Sequence, residues 1–414
     1  MSIGAGAQSV VFIVLLLVSS AWGSPQEKVL HNFDVTGTDG HYPLATLVFD
    51  AAGNLYGTTS YGGSGSCGDN GVGCGSVFEL TPKAGGGWTE KILYSFRNDD
   101  KDGNHPYAGL IFDTAGNLYG TTLYGGVYDY GTVFELTHQK AGTWTEKVLH
   151  NFNDNYEDGI WPYAGLIIDA AGNLYGTAAY GGVKGNGTVF ELMREADGHW
   201  MEKTLHNFSY DGKDGNAPYA SLIFDSVGNL YGTTLQGGTY GTGTVFELSP
   251  KEGGEWRESI LHSFRNNSKD GYYSNAGLIF DAAGSLYGTT RLGGAYNYGT
   301  VFRMTRKTAG GWTEKVLHNF NLNGEGFYPY AGLIIDEGGN LYGTTSNEGY
   351  GIGVVFELTK QANEGWREKV LHGFNDENGD YPYGGLIFDA AGNLYGTTAY
   401  GGTKAGGTVF EITP

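Results

Sequence analysis

A seven-bladed β-propeller closed by its own N-terminal strand is the fold this sequence predicts, and three observations predict it. One phrase, Gly-Asn/Ser-Leu-Tyr-Gly-Thr, recurs at Tyr56, Tyr119, Tyr175, Tyr231, Tyr287, Tyr342 and Tyr395, in steps of 63, 56, 56, 56, 55 and 53 residues. Each unit holds four short apolar or β-branched runs between Gly, Asn and Asp turns, and no window shows helical spacing. The last unit lacks its fourth run, and the N-terminal part of the chain carries that run instead.

The unit that begins at Tyr107 shows the elements in order. Gly109 to Asp113 is the first run, and Thr114-Ala115-Gly116-Asn117 turns it into the second, Leu118 to Thr122. Gly and Asn most easily take positive φ, and the Asp before the corner can accept backbone N–H groups, so this is a hairpin. Gly131 to Leu136 is the third run and Trp144 to Phe152 the fourth. A four-stranded antiparallel meander of about 56 residues buries too little by itself and must stack face to face on its neighbours. Seven such units around an axis meet that need and protect most strand edges, whereas a β-solenoid, the rival, uses shorter coils paired in parallel.

The ends agree with a ring. The final unit, from 381 to 414, stops after its third run, Gly407 to Ile412, and Glu27 to Phe33 is the missing fourth. Pairing of these two segments completes the seventh blade, whereas an open array would leave two unpaired edges. Six units carry a tryptophan at the start of the fourth run (Trp88, Trp144, Trp200, Trp256, Trp312, Trp366), with Pro25 at the seventh place.

Residues 1–26 contain no charged side chain and run through Val10 to Val18 into Ala21-Trp22-Gly23, the pattern of a secretory signal peptide spanning 1–23. The expectation is one propeller domain over 24–414, secreted or periplasmic, monomeric and without a membrane span. A net charge of -20 repels phosphate backbones and anionic headgroups, which excludes nucleic acid as a partner. Cys67 and Cys74, inside an insertion that the other units lack, read as a local disulfide in an oxidising compartment.

The phrases GLIFDAAGNLYGTT, GTVFELT and WTEKVLHNF resemble the Gloeo/Verruco (GloVer) tandem repeat of exported bacterial proteins, over Glu27 to Pro414. The resemblance implies export and a body made only of repeats, and it carries no catalytic residues over. Members commonly bear a C-terminal anchor or sorting domain. This sequence departs from that pattern by ending at Pro414, from which release rather than anchoring is expected.

In a propeller meander, the loops from the second to the third strand share a face with those leading to the next blade. On that face the blade-to-blade loops carry Asp39, Asp102, Asp158, Asp214, Asp270 and Glu325, with Asn378 at the seventh place. Tyr107, Tyr163, Tyr219, Tyr330 and Tyr383 follow, with Leu44 and Asn275 at the two remaining positions, and Tyr61, Tyr124, Tyr180 and Tyr400 stand in the other loops. Carboxylates beside aromatic faces suit a sugar, whose C–H face stacks on a ring while its hydroxyls bond polar groups. The predicted ligand-binding set is therefore Asp102, Asp158, Asp214 and Asp270 with Tyr107, Tyr163, Tyr219, Tyr330 and Tyr383. The competing reading makes Asp-Gly a turn and the Pro-Tyr ring a packing group between blades.

Asn98-x-Asp100-x-Asp102-Gly103 has the alternating oxygens of a calcium loop, but equivalent loops break the alternation and no bidentate Glu follows. Calcium is thus the alternative to no cofactor at all. His31, His150, His206, His262, His318 and His372 lie on different blades, so no two can share a metal. Strict alternation places each on the apolar face of its strand with Trp and Val, as a packed structural residue. Asp50, Asp113, Asp169, Asp225, Asp281, Asp336 and Asp389 read as turn caps. Nucleophile-elbow, zinc-protease and P-loop motifs are absent from the sequence. The residues that break the repeat and could serve a unique site are His105, Trp161, Arg291 and Glu348. The expected function is non-catalytic binding of a glycan or surface protein; the alternative is a polysaccharide lyase or glycoside hydrolase acting at the axis.

Overall fold

The computed structural model describes residues 24–36, 38–67, 73–140, 142–323, 326–346, 353–362 and 365–414. The predicted signal peptide over 1–23, Glu325 and Glu348 lie outside the described residues. The described chain is all β, in seven four-stranded antiparallel sheets ordered around a ring.

In the second blade the strands are Ile111–Phe112, Leu118–Thr122, Thr132–His138 and Trp144–Asn151. The first strand is shorter than the predicted run because residues 107–110 leave the sheet to run along the axis. Asp113 caps the hairpin as expected: its Oδ1 accepts the N–H groups of Ala115 and Asn117, and its Oδ2 accepts Asn117 Nδ2. The Tyr119 hydroxyl lies 3.1 Å from Asp113 Oδ2 and 2.9 Å from Glu135 Oε1. Desolvation pushes Asp113 up, but these donors outweigh it and hold the carboxyl below its ordinary range.

The seventh blade is assembled from both ends. Gln26–Asp34 pairs antiparallel with Ala405–Thr413, in the register Gln26↔Thr413 and Val29↔Phe410. Adjacent blades are joined by three kinds of contact. Seven phenylalanine pairs, from Phe33–Phe78 round to Phe374–Phe410, six of them edge-to-face and the last tilted, have centroids 4.9–5.2 Å apart. Apolar clusters draw on two blades at a time; Tyr56, Val77 and Phe96 pack on Leu110, Leu118 and Phe134 of the next. A second-strand threonine in each blade donates to the axial carbonyl of its neighbour, as Thr58 does to Ala108 and, across the closure, Thr397 to Ala45.

Every fourth strand carries a β-bulge, and the bulge overturns the expected facing of the histidines. Val148 pairs with Phe134 and His150 with Val133, leaving Leu149 as the extra residue. Phe134 and Val133 point to opposite faces, so Val148 and His150 do too. Trp144, Glu146 and Val148 therefore look back at the preceding blade, and His150 looks forward. Register shifts at the same place mark the other six blades.

Candidate functional site

The two loop classes do share a face. Gly103–Asn104 pairs with Tyr124–Gly125 and Gly159–Ile160 with Tyr180–Gly181, tying these blade-to-blade loops to the second-to-third loops of the following blades. Beyond these small ribbons the chain reaches the axis through two residues, the second a proline in six blades, and a phrase that reads Tyr-Ala-Gly in three blades.

The residue before that proline position has positive φ in all seven blades: Tyr42, His105, Trp161, Ala217, Tyr273, Tyr328 and Tyr381, at 53–59°. Bulky residues adopt this conformation only when the surroundings impose it. Here both backbone groups are held: His105 donates its N–H to Cys74 O and accepts from Leu123 N–H, and Trp161 does the same with Tyr130 and Ala179. Sequence reasoning singled out His105 and Trp161 but missed Tyr42, Tyr273, Tyr328 and Tyr381. The signal was present, since an aromatic residue occupies this position in six of seven repeats.

At the axis lies a cavity of about 370 Å³. Tyr107, Tyr163, Tyr219, Tyr330 and Tyr383 surround it with Leu44 and Asn275, above a wall of Ala, Gly, Ser and Thr. Tyr163 and Tyr219 have centroids 4.6 Å apart, Tyr330 and Tyr383 5.1 Å, and Tyr107 and Tyr163 5.9 Å. The Tyr180 and Tyr219 hydroxyls meet at 2.8 Å. Burial raises Tyr163 to about 12 and pushes Tyr107 and Tyr219 further up, so these phenols stay protonated and offer O–H groups. No carboxylate lines the cavity among the described residues.

The aromatic lining extends outward as an arc rather than a full circle. Contacts run Tyr381–Tyr400–Tyr42–Tyr61–His105–Tyr124–Trp161–Tyr180. Ala217, Gln236 and Leu292 interrupt it on the opposite side, where Arg291 lies 6.0 Å from the ring centres of Tyr328 and Tyr330. A second cavity of about 410 Å³ opens under the arc between Tyr61, His105, Tyr124, Asn98, Asn104, Asp129 and Cys67. Cys67 and Cys74 are disulfide-bonded as expected.

The aspartates go elsewhere. Asp102, Asp158, Asp214 and Asp270 are only 6–9 % exposed and turn into the seams between blades. Asp158 Oδ2 lies 2.9 Å from His150 Nε2 and accepts the N–H of Asn153; Asp270 does the same with His262 and Arg265. Asp214 meets His206 and Ser209 N–H. Asp102 accepts from the Tyr94 hydroxyl at 2.7 Å and from Arg97 N–H, and burial raises it to about 6. The calcium reading needed Asp102 in its loop, where its side chain does not stay. The structure thus gathers the five tyrosines at the axis and separates the four aspartates from them.

Residues 66–279 and 255–414 match the Gloeobacter/Verrucomicrobia repeat. The chain belongs to this repeat family. Among curated proteins no sequence matches this member of the family. Solved structures resemble its fold: a PL25 ulvan lyase bound to -[GlcA(1-4)Rha3S]- has 11 % identity and a TM-score of 0.53 over 93 % of this chain and 95 % of that one. Hydrazine synthase of Kuenenia stuttgartiensis has 14 % identity and a TM-score of 0.54, covering 87 % and 94 %. An ancestral GH74 enzyme has 12 % identity and a TM-score of 0.52, covering 90 % of this chain and 51 % of its own. At these identities the likeness establishes the propeller fold alone.

Proposed function

We propose that this member of the Gloeobacter/Verrucomicrobia repeat family is an exported propeller that holds the end of a neutral glycan in its axial cavity without cleaving it. The carrying observation is the convergence of five phenols on one concave site. Their rings offer stacking faces and their protonated hydroxyls offer donors, the two things a sugar takes from a protein. The aromatic arc gives a chain leaving the cavity further rings to lie on. A net charge of -20 disfavours sulfated or uronic polymers, which points to a neutral sugar. Acid–base cleavage needs groups whose pKa values are drawn toward neutrality, whereas burial moves these phenols away from it. The disulfide fits an oxidising compartment, and no helix among the described residues is long and apolar enough to cross a membrane.

A glycan array, followed by mass spectrometry of the incubated glycans, tests this. Wild-type protein retains a neutral glycan intact. Tyr163→Ala, which removes a central aromatic anchor, weakens binding roughly thirty-fold, as truncation of such anchors typically costs about 2 kcal/mol. An empty array, or equal binding by the variant, removes the axial site; cleaved products remove the non-catalytic reading.

A further inference from the structure

The bulge in each fourth strand has a chemical result at the seams. It aims the histidine of one blade forward and the glutamate of the Trp-x-Glu phrase backward, so the two meet across the seam beside the loop aspartate. His31, Asp39 and Glu90 meet in this way, as do His206, Asp214 and Glu258, and His262, Asp270 and Glu314. In each trio the donor atoms all lie within 4.8 Å of one another.

We propose that these three seams bind divalent transition-metal ions of the zinc class, each held by a histidine and an aspartate of one blade and a glutamate of the next. One imidazole nitrogen and two carboxylates form a donor set that zinc accepts at about 2.0–2.2 Å, whereas calcium takes six to eight oxygens. Donors on one such ion stand at most ~4.4 Å apart, so the trios need only a small contraction.

A second observation shows that the trios are short of a cation. Asp270 is 8 % exposed, yet its Oδ1 has no hydrogen-bond partner, and neither has Glu314 Oε1. Asp39 Oδ1, Glu90 Oε1 and Glu258 Oε1 are likewise buried without a donor. No Lys or Arg forms an ion pair with these six carboxylates among the described residues. Facing carboxylates with no donor between them need either a proton or a metal ion, and the imidazole at the third corner favours the metal.

Among the described residues three other seams lack the full trio; at the remaining one His318 Nε2 lies 3.0 Å from Glu368 Oε2, and its loop carboxylate, Glu325, lies outside the described residues. At His150 and Asp158, Glu202 Oε1 lies 3.2 Å from the Thr204 hydroxyl, where the three trios have Ile92, Ile260 or Val316. Tyr94 replaces the histidine beside Asp102 and Glu146, and Asn378 replaces the aspartate beside His372. Each ion would cross-link two blades and leave a coordination position for water.

Purified full-length protein, stripped with EDTA, is titrated with ZnCl₂; bound zinc is counted by calorimetry and by elemental mass spectrometry after desalting. At least three equivalents are expected, with a higher melting temperature than the stripped protein. His262→Gln should bind one fewer than the wild type, and Tyr94→His, which completes a further trio, should bind one more. The gain in Tyr94→His cannot arise from unfolding. A zinc count that neither variant changes, zero included, overturns the proposal and leaves a shared proton between the carboxylates. Glycan binding by the stripped protein is read separately, so the axial and seam proposals fail independently.

Discussion

Phe33 stands where the ring closes, and its replacement tests the closure quantitatively. It is fully buried, 5.1 Å from Phe78 of the first blade, and it packs with Leu47, Leu55, Leu80, Tyr395 and Val409. Its pseudo-symmetric counterpart is Phe152, also fully buried, 5.2 Å from Phe190. Truncating a buried phenylalanine costs about 3–5 kcal/mol through lost transfer energy and the cavity left behind. Phe33→Ala and Phe152→Ala should therefore lower stability by similar amounts in that range, because a closed ring makes the two seams equivalent. Val35, 39 % exposed, is the control, and Val35→Ala should change stability by under about 0.5 kcal/mol. Urea unfolding followed by fluorescence and circular dichroism measures all three as midpoint shifts at constant slope. Loss of under about 1 kcal/mol in Phe33→Ala, beside several in Phe152→Ala, would refute closure: the N-terminal strand would then be an appendage. Deleting residues 24–34 extends the same perturbation, because it unpairs Ala405–Thr413 along its whole length.

Two other consequences concern the blades themselves. Burial first, then the charges of Asp102 and Asp99, raise Glu146 to about 8. The folded protein keeps a proton there that the unfolded chain releases near pH 4.3, so this group lowers stability as pH rises from about 4.5 to about 8. Glu146→Gln should flatten that decline and raise stability at pH 8 on the order of 3 kcal/mol; identical pH slopes of melting temperature in both proteins would contradict it. Gly120 has no room for a side chain, since a Cβ there would meet Phe134 Cζ at 2.6 Å and Leu110 Cδ2 at 3.0 Å. Gly120→Ala should cost about 1–3 kcal/mol by overpacking, read as a lower melting temperature, and an unchanged one would show that this contact is slack.

The legibility of the molecule follows the range of the forces involved. The Asp113 cap, the Gly116 corner and the Tyr119 hydroxyl all act within seven residues, so one repeat displays the whole hairpin and seven repeats confirm it. The missing fourth run was as plain, because counting strands needs no geometry. The tyrosines of the axial ring were visible too, as an aromatic residue that recurs after a proline. By contrast, the histidine facing was misread because strict alternation was assumed through Leu149, and a bulge is invisible to a period of two.

The amino-acid sequence alone therefore determined the strand count, the hairpin chemistry, the disulfide partners and the ring closed from both ends, because each rests on local pattern or on counting. Only the tertiary structure decided which loop residues face the axis and which face a seam. Asp102 and Tyr107 are five residues apart, yet one turns inward to Tyr94 and Arg97 while the other reaches the central cavity. That choice belongs to the path of the loop backbone and to a glutamate supplied by the neighbouring blade some 50 residues away, as Glu146 stands to Tyr94. Neither leaves a mark in any single repeat, which is why the repeats display the propeller and its contacts between blades display the site.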